Sequence, residues 1–441
     1  MKPIALFFVG WLFLTASVSA QLGSSNETLT LAGILKLALR HSPAIAAAKS
    51  EADSLHSAAK ATRDSSGLSI TSSAGFLYDP VEEKRLIPRS SLEKLTRDEA
   101  FNSTIFDARI TLSWPILAKN IGYRADAEDA AAKAADSGIA LVRHRVYLLI
   151  VRNYYQLLML NQAVKTAEAS IEALKETKRQ VKRKIEVGRA PPIDLFRINS
   201  RLSRIELDLL SFSNERRKRG MRLEELAGVD FADGIKFTDE LRQPEANFEE
   251  KVSIQFAVRE RPEAKSAVFF LKAARARKKV ADSVFSPKIR FFLEPSLHYG
   301  DNAQKVVNDA IVGVRITWPL YDPAYSAKKD QALASINASN WRLKNVRRKL
   351  QTQVRTALLD LNKARKAIAV TKKLIKTARE AFRAEQARYK AGFSTVNNVL
   401  EAQAVILQAE LASARSLMEY NVARTHVFWA RGDMTIENLS P

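Results

Sequence analysis

Four stretches of the chain alternate apolar and polar residues with a period of two. Around 106–117, Phe106, Ala108, Ile110, Leu112, Trp114 and Ile116 share one face, and Asp107, Arg109, Thr111 and Ser113 share the other. Around 287–299, Ile289, Phe291, Leu293, Leu297 and Tyr299 oppose Lys288, Arg290, Glu294, Ser296 and His298. Around 310–320, Ala310, Val312, Val314, Ile316, Trp318 and Leu320 oppose Gly313, Arg315 and Thr317. A weaker case spans about 68–78, with Leu68, Ile70, Ala74, Phe76 and Tyr78 against Ser69, Thr71, Ser73 and Gly75. This alternation predicts strands with one apolar and one polar face. A half-buried soluble sheet reads the same way. The length of each segment, with aromatic residues near its ends, fits a tilted membrane strand better.

A second period, close to 3.5, runs through two much longer stretches. Val146, Ile150, Leu157, Leu160, Val164, Ala167, Ile171, Leu174, Val181 and Ile185 follow it, interrupted by Asn153 and Lys178. Leu350, Val354, Ala357, Leu361, Ala364, Ile368, Ile375, Ala378, Phe382 and Tyr389 repeat it, interrupted by Thr371 and Glu385. A heptad kept this long is a coiled-coil seam, and a helix of that reach is roughly 100 Å long. Breaks follow at Val187-Gly188-Arg189-Ala190-Pro191-Pro192 and at Ala391-Gly392-Phe393-Ser394-Thr395. Glycine stops each helix, and Pro191-Pro192 or a Ser394/Thr395 cap starts the next. Return helices are predicted over about 192–228 and 395–431.

The two stretches superpose at an offset of 204 residues, which relates Trp114-Pro115 to Trp318-Pro319, Gly188 to Gly392 and Gly228 to Gly432. A repeat this long is a duplicated domain rather than a solenoid unit. The predicted plan has a first repeat over 21–231, with its helical hairpin at about 121–228. A linker covers 232–247. The second repeat covers 248–435, with its hairpin at about 323–431, and 436–441 forms a tail.

Composition narrows the picture. Residues 1–20 carry a charged start at Lys2, an apolar run and a small-residue site at Val18-Ser19-Ala20, as in a cleaved secretory signal. The chain has no cysteine, which removes disulfides and thiol chemistry. Its net charge is +22, which raises nucleic acid as a partner. The secretory signal and the lack of a basic-aromatic module favour lysines and arginines coating solvated helix faces, so no nucleic-acid partner is expected. His41, His56, His144, His298 and His426 are scattered without metal-ligand spacing, and no phosphate loop is present. No metal, cofactor or enzymatic activity is expected.

Four strands per chain cannot close a barrel, and an open edge in lipid leaves backbone groups unsatisfied. Two copies would give eight strands with a filled interior, and three would give twelve with a lumen.

At this point the chain resembles the TolC-type outer membrane efflux proteins. The resemblance is carried by the duplicated halves, by Trp318-Pro-Leu-Tyr-Asp322, and by the run from Tyr389 through Gly392 and Asn398 to Glu401-Ala402. It implies a mainly α chain with membrane β. Duplicated long-helix hairpins form a trimeric coiled-coil tube in the periplasm, and the four strands of each chain join a shared twelve-strand β-barrel in the outer membrane. It further implies a homotrimer set in outer membrane lipid, working with a periplasmic adaptor (membrane fusion) protein and an inner-membrane efflux or secretion pump. The competing expectation is a periplasmic coiled-coil scaffold or adaptor with a small soluble sheet and no pore.

The resemblance also assigns residues. Asn398 and Glu401 fall where the family lines its constriction with two acids, so one carboxylate ring instead of two is expected. Asp194 and Tyr389 match gate-contact positions, and Ser394 stands at the family's arginine position. Val187, Gly188 and Arg189, with Ala391, Gly392 and Phe393, are the expected adaptor-docking tips. Apart from the resemblance, the polar strand faces carry Arg109, Lys288, Arg290 and Arg315 against Asp107 and Glu294, so the upper barrel lumen is expected to favour anions while Glu401 favours cations at the aperture.

Overall fold

The computed structural model describes residues 28–78, 104–231, 236–300 and 306–439. The predicted signal segment, most of the 79–105 loop, part of the 232–247 linker and the last two residues lie outside the described residues. Each repeat opens with a pair of helices broken at a proline: α1 (Leu31–His41) and α2 (Pro43–Asp64), then α5 (Glu250–Glu260) and α6 (Pro262–Asp282). Two strands follow in each: β2 (Ser69–Tyr78) and β3 (Thr104–Leu117), then β5 (Lys288–Gly300) and β6 (Val306–Thr317). The helical hairpins are α3 (Lys119–Glu186) with α4 (Ile193–Ala227), and α7 (Tyr325–Lys390) with α8 (Val396–Arg431). Two-residue strands β1 (Thr28–Leu29) and β4 (Lys236–Phe237) pair in parallel, and α9 (Ile436–Leu439) occupies the predicted tail.

Backbone proximity divides the chain transversely to its sequence repeats. Among the described residues, one unit takes those within 28–46, 143–253 and 353–439, and the other those within 47–142 and 254–352.

The second unit holds an antiparallel sheet in the order β2-β3-β5-β6. Ile70 faces Leu112, Leu112 faces Leu293, and Leu293 faces Val312, so the predicted apolar faces join into one. That face is uncovered: Phe76, Ile110, Trp114, Ile116, Val312, Val314 and Ile316 are all exposed. The polar face differs from expectation at one point. Phe292 lies on it, opposite Gly313, and a Cβ at Gly313 would come within 2.8 Å of the Phe292 ring. The glycine leaves room for the ring to lie across the neighbouring strand, a known device for filling a strand glycine.

The two Trp-Pro copies are also placed unequally. Trp114 and Pro115 lie inside β3, with a register irregularity between Pro115 and Leu117 that absorbs the missing proline N–H. Trp318 and Pro319 follow the end of β6. There the Trp318 indole donates to the Phe285 carbonyl at 3.0 Å, and the Asp322 carboxylate accepts from the Ala324 amide and from Lys328, each at 2.8 Å. The Trp-Pro-Leu-Tyr-Asp run thus anchors the exit from the sheet and caps the start of α7.

In the first unit the heptad residues become the core. Ile150, Ala167, Leu174 and Val181 of α3 are fully buried, as are Val354 and Ile368 of α7 within a few per cent. Asp239 ties two elements together, accepting from the Leu31 amide at 2.8 Å and from the Tyr154 hydroxyl at 2.7 Å. Tyr420 donates to the Pro244 carbonyl at 2.6 Å and Asn421 to the Arg242 carbonyl at 2.8 Å. The predicted linker is therefore bolted to the helices over these residues.

Candidate functional site

The hairpin ends lie in the first unit and share one apolar cluster. Ile171, Leu174 and Val181 from α3 meet Ile198 and Ile205 from α4, Tyr389 from α7, and Val396, Val399, Leu400 and Leu407 from α8. Both turns have the same backbone. Gly188 (φ 72°) and Gly392 (φ 86°) take the left-handed conformation, and the amides of Arg189 and Phe393 reach back to the carbonyls of Lys184 and Arg388 at 2.7 and 2.8 Å. Glycine supplies the positive φ that this helix-ending turn requires. The turns leave Val187 and Phe393 exposed, at 66% and 79%. Gly188, Arg189, Ala391 and Gly392 are exposed beside them. All six predicted tip residues therefore sit at two equivalent turns.

The side chains just inside the turns differ between repeats. In the second hairpin, Asn398 donates to the Ser394 hydroxyl at 3.2 Å and Ser394 donates to Glu385 at 2.7 Å. Arg388 donates to the other Glu385 oxygen at 3.2 Å. Ser394 at the family's arginine position is thus tied within its own hairpin. Glu385, the second interruption of the α7 heptad, is the residue that receives it. Two of the other three interruptions have the same logic: Asn153 accepts from Arg219 at 3.2 Å, and Thr371 lies 3.1 Å from Ser416, whereas Lys178 has no such partner among the described residues.

In the first hairpin, Asp194 is buried in the opening turn of α4 and accepts from Arg197 at 3.4 Å. Its counterpart is Asn398, and the counterpart of Arg197 is Glu401. The acid-base pair of one repeat is therefore replaced by an amide and an acid in the other. Glu401 is exposed, with no hydrogen bond or ion pair among the described residues. It presents an unneutralised carboxylate.

Tyr389 is buried, and its hydroxyl has no hydrogen-bond partner. Burial first, and the Asp194 carboxylate second, push its pKa above the ordinary phenol range. The direct polar link between the two hairpins here comes instead from Lys184. Its ammonium lies 3.9 Å from the centre of the Tyr389 ring and donates to the Tyr389 carbonyl at 3.2 Å. Sequence reading missed Lys184. The available signal was the repeat itself, which places Lys184 opposite Arg388 one residue before the heptad positions Ile185 and Tyr389.

On the polar face of the sheet the four predicted lumen cations separate. Arg109 has a carboxylate of its own, with Asp107 at 3.8 Å. Arg290 and Arg315 stand directly opposite each other across β5 and β6, and Lys288 is two residues nearer the helices on β5.

A duplicated chain with two long helical hairpins, and a four-stranded sheet exposing a continuous apolar face, is the architecture of an outer membrane channel subunit. Residues 34–229 and 254–427, one block in each repeat, match the family model described as outer membrane efflux protein, and the chain belongs to that family. It is an outer membrane efflux channel. Among curated proteins it is 20% identical over 435 residues to the outer membrane protein TolC of Vibrio cholerae, covering 96% of this chain and 95% of that one. It is 21% identical over 330 residues to nodulation protein T of Rhizobium leguminosarum bv. trifolii, covering 74% and 71% of the two chains. Among solved structures, the CmeC outer membrane channel of Campylobacter jejuni superposes with a TM-score of 0.77 at 17% identity, over 98% of this chain and 93% of that one. The pore-free scaffold reading is not favoured by these matches.

Proposed function

We propose that three copies close a twelve-strand barrel and serve as a passive exit duct, loaded from the periplasm by an adaptor and an inner-membrane efflux or secretion pump. The observation that carries this reading is the exposed apolar sheet face between two unpaired edge strands, β2 and β6. In lipid an unpaired edge is prohibitive, and pairing β2 of one copy with β6 of the next removes every edge. Eight strands would leave an interior filled with side chains, whereas twelve leave a lumen. Exposed apolar residues on the hairpins support the same head-to-tail closure: Phe196, Leu207 and Leu210 on α4, and Leu359, Val370 and Leu374 on α7.

Within this duct, Glu401 forms the constriction ring, three carboxylates on one axis, with Asn398 beside it as a neutral rim. The tips at 187–189 and 391–393 dock the adaptor, with Val187 and Phe393 as apolar anchors and Arg189 as a charged one. Asp194, Tyr389 and Ser394 surround the gate, and Lys184 joins them as its cross-hairpin link. Outer-membrane fractionation, a heat-modifiable trimer on gels and single-channel conductance in planar bilayers test the assembly. A monomer that stays soluble without detergent would defeat it.

A further inference from the structure

We infer that the helix-side end of the barrel lumen is an anion-binding girdle, built from Lys288, Arg290 and Arg315, that selects cargo bearing carboxylate or phosphate groups. The inference rests on the proposed trimer and names the substrate class of that duct. Both arginines are exposed on the polar face of the sheet, in directly opposed positions of adjacent strands. Like charges in that relation repel and destabilise a sheet unless an anion lies between them. No acid pairs with Lys288, Arg290 or Arg315 among the described residues. Arg315 is also held in place: its guanidinium lies 4.9 Å from the centre of the Phe292 ring, and that ring fits because position 313 is glycine. A stacked guanidinium keeps its planar fork free for two parallel bonds to a carboxylate or phosphate.

The register shows that charge is sorted along this face. The rows at Lys288 and at Arg290 with Arg315 are purely cationic. Acids begin only at Glu294 and continue with Asp309 opposite Ser296, and with Asp107 opposite His298. Glu294 is four residues from Arg290 along one strand, about 13 Å away, which exceeds the screening length of about 8 Å at physiological salt. Arg109 falls in the acidic zone and is matched by Asp107, so it does not belong to the girdle. Three copies would bring nine cationic heads to one short ring, a field that concentrates anions in a narrow passage.

The test uses the full-length trimer in planar bilayers under a potassium chloride gradient, comparing wild type with Arg290→Gln/Arg315→Gln and Arg290→Lys/Arg315→Lys. Comparing channels that differ only here cancels the contribution of Glu401. The chloride-to-potassium permeability ratio should fall by about threefold or more in the glutamine channel and stay near wild type in the lysine channel, as expected of a charged ring in a pore. Inorganic tripolyphosphate should block wild-type current at lower concentration than glutamine-channel current. Arg315→Gln alone should give an intermediate ratio and covers the case in which the double variant fails to assemble. Glutamine channels of wild-type conductance with an unchanged permeability ratio and unchanged block would overturn the girdle. A wild-type protein that forms no pores would instead count against the trimeric duct.

Discussion

Removing the Lys184 ammonium should weaken the tie between the two hairpins, which still share an apolar cluster and the Gln403–Ser170 bond. Lys184→Met keeps the length and apolar stem of the side chain and deletes only the charge. The lost interactions are one ammonium over the Tyr389 ring at 3.9 Å and one bond to the Tyr389 carbonyl at 3.2 Å. A cation–π contact contributes about 0.5–2 kcal/mol depending on desolvation. A charged hydrogen bond contributes about 1.5–3 kcal/mol when fully formed. One ammonium makes both, it is only half-buried, and the terms overlap, so a net loss of about 1–2 kcal/mol is the reasonable figure. That changes a two-state opening equilibrium by about 5–30-fold. Open probability of single channels in planar bilayers reads it directly, and Lys184→Arg should stay near wild type. Tyr389→Phe is the decisive companion. The Tyr389 hydroxyl is buried without a partner, so its loss should leave the open probability unchanged and the fold as stable or slightly more so. If Tyr389→Phe opens the channel as much as Lys184→Met, the hydroxyl is the link and the argument for Lys184 fails.

Gly188 and Gly228 share a φ near 73° but not a neighbourhood. A Cβ on Gly188 meets nothing within 4 Å, whereas one on Gly228 would sit 2.3 Å from the His41 carbonyl oxygen. Gly188→Ala should therefore cost only the left-handed strain of about 1–2 kcal/mol, and Gly228→Ala more than about 3 kcal/mol because backbone must move; equal shifts in thermal melting would refute the distinction. Tyr155 is fully buried, and desolvation, slightly offset by Arg424, pushes its phenol up to about 12. Since the folded value is raised, its stabilisation is intact below about pH 10 and is lost as pH rises toward 12, by about 2–3 kcal/mol. Denaturant titrations from pH 9 to 12 should show wild type losing that much more than Tyr155→Phe. At the second turn Thr395 accepts from the Asn398 amide as the cap of α8, so Thr395→Ala should lower the melting temperature by an amount equivalent to about 0.5–2 kcal/mol.

How much of this was legible in the sequence depends on which periodicity carried it. Strand faces and heptad seams repeat many times, so each was readable to within a few residues. The apolar face running from Phe106 to Ile116 and the buried seam from Val146 to Val181 are found as expected. The sheet order β2-β3-β5-β6 was not readable, because pairing β3 with β5 joins residues nearly two hundred positions apart and no local pattern encodes it. The role of Phe292 is hidden for a related reason. An apolar residue at a polar position looks like noise until the register sets Gly313 opposite it and Arg315 against its ring.

The residues proposed for the gate show the limit of transferring roles by position. The resemblance to a family motif singles out Tyr389, Asp194 and Ser394 for the proposed gate, and their partners within this chain are Lys184, Arg197 and Glu385. Two of these partners are visible in the sequence as departures from pattern. Glu385 breaks an apolar heptad, and Arg197 takes the place that Glu401 holds in the other repeat. A buried polar residue on a seam is destabilising unless something satisfies it, and at Asn153, Thr371 and Glu385 the break locates a cross-link, though at Lys178 it does not. The same reasoning explains why Glu401 stands out. Of the four charged or amide positions related by the duplication, three are engaged with a neighbour, and only Glu401 has none among the described residues. Glu186 beside the first turn is also unpaired among the described residues, so what singles out Glu401 for the proposed constriction is the broken symmetry of the repeat, an acid where the other hairpin has Arg197, rather than the missing partner alone.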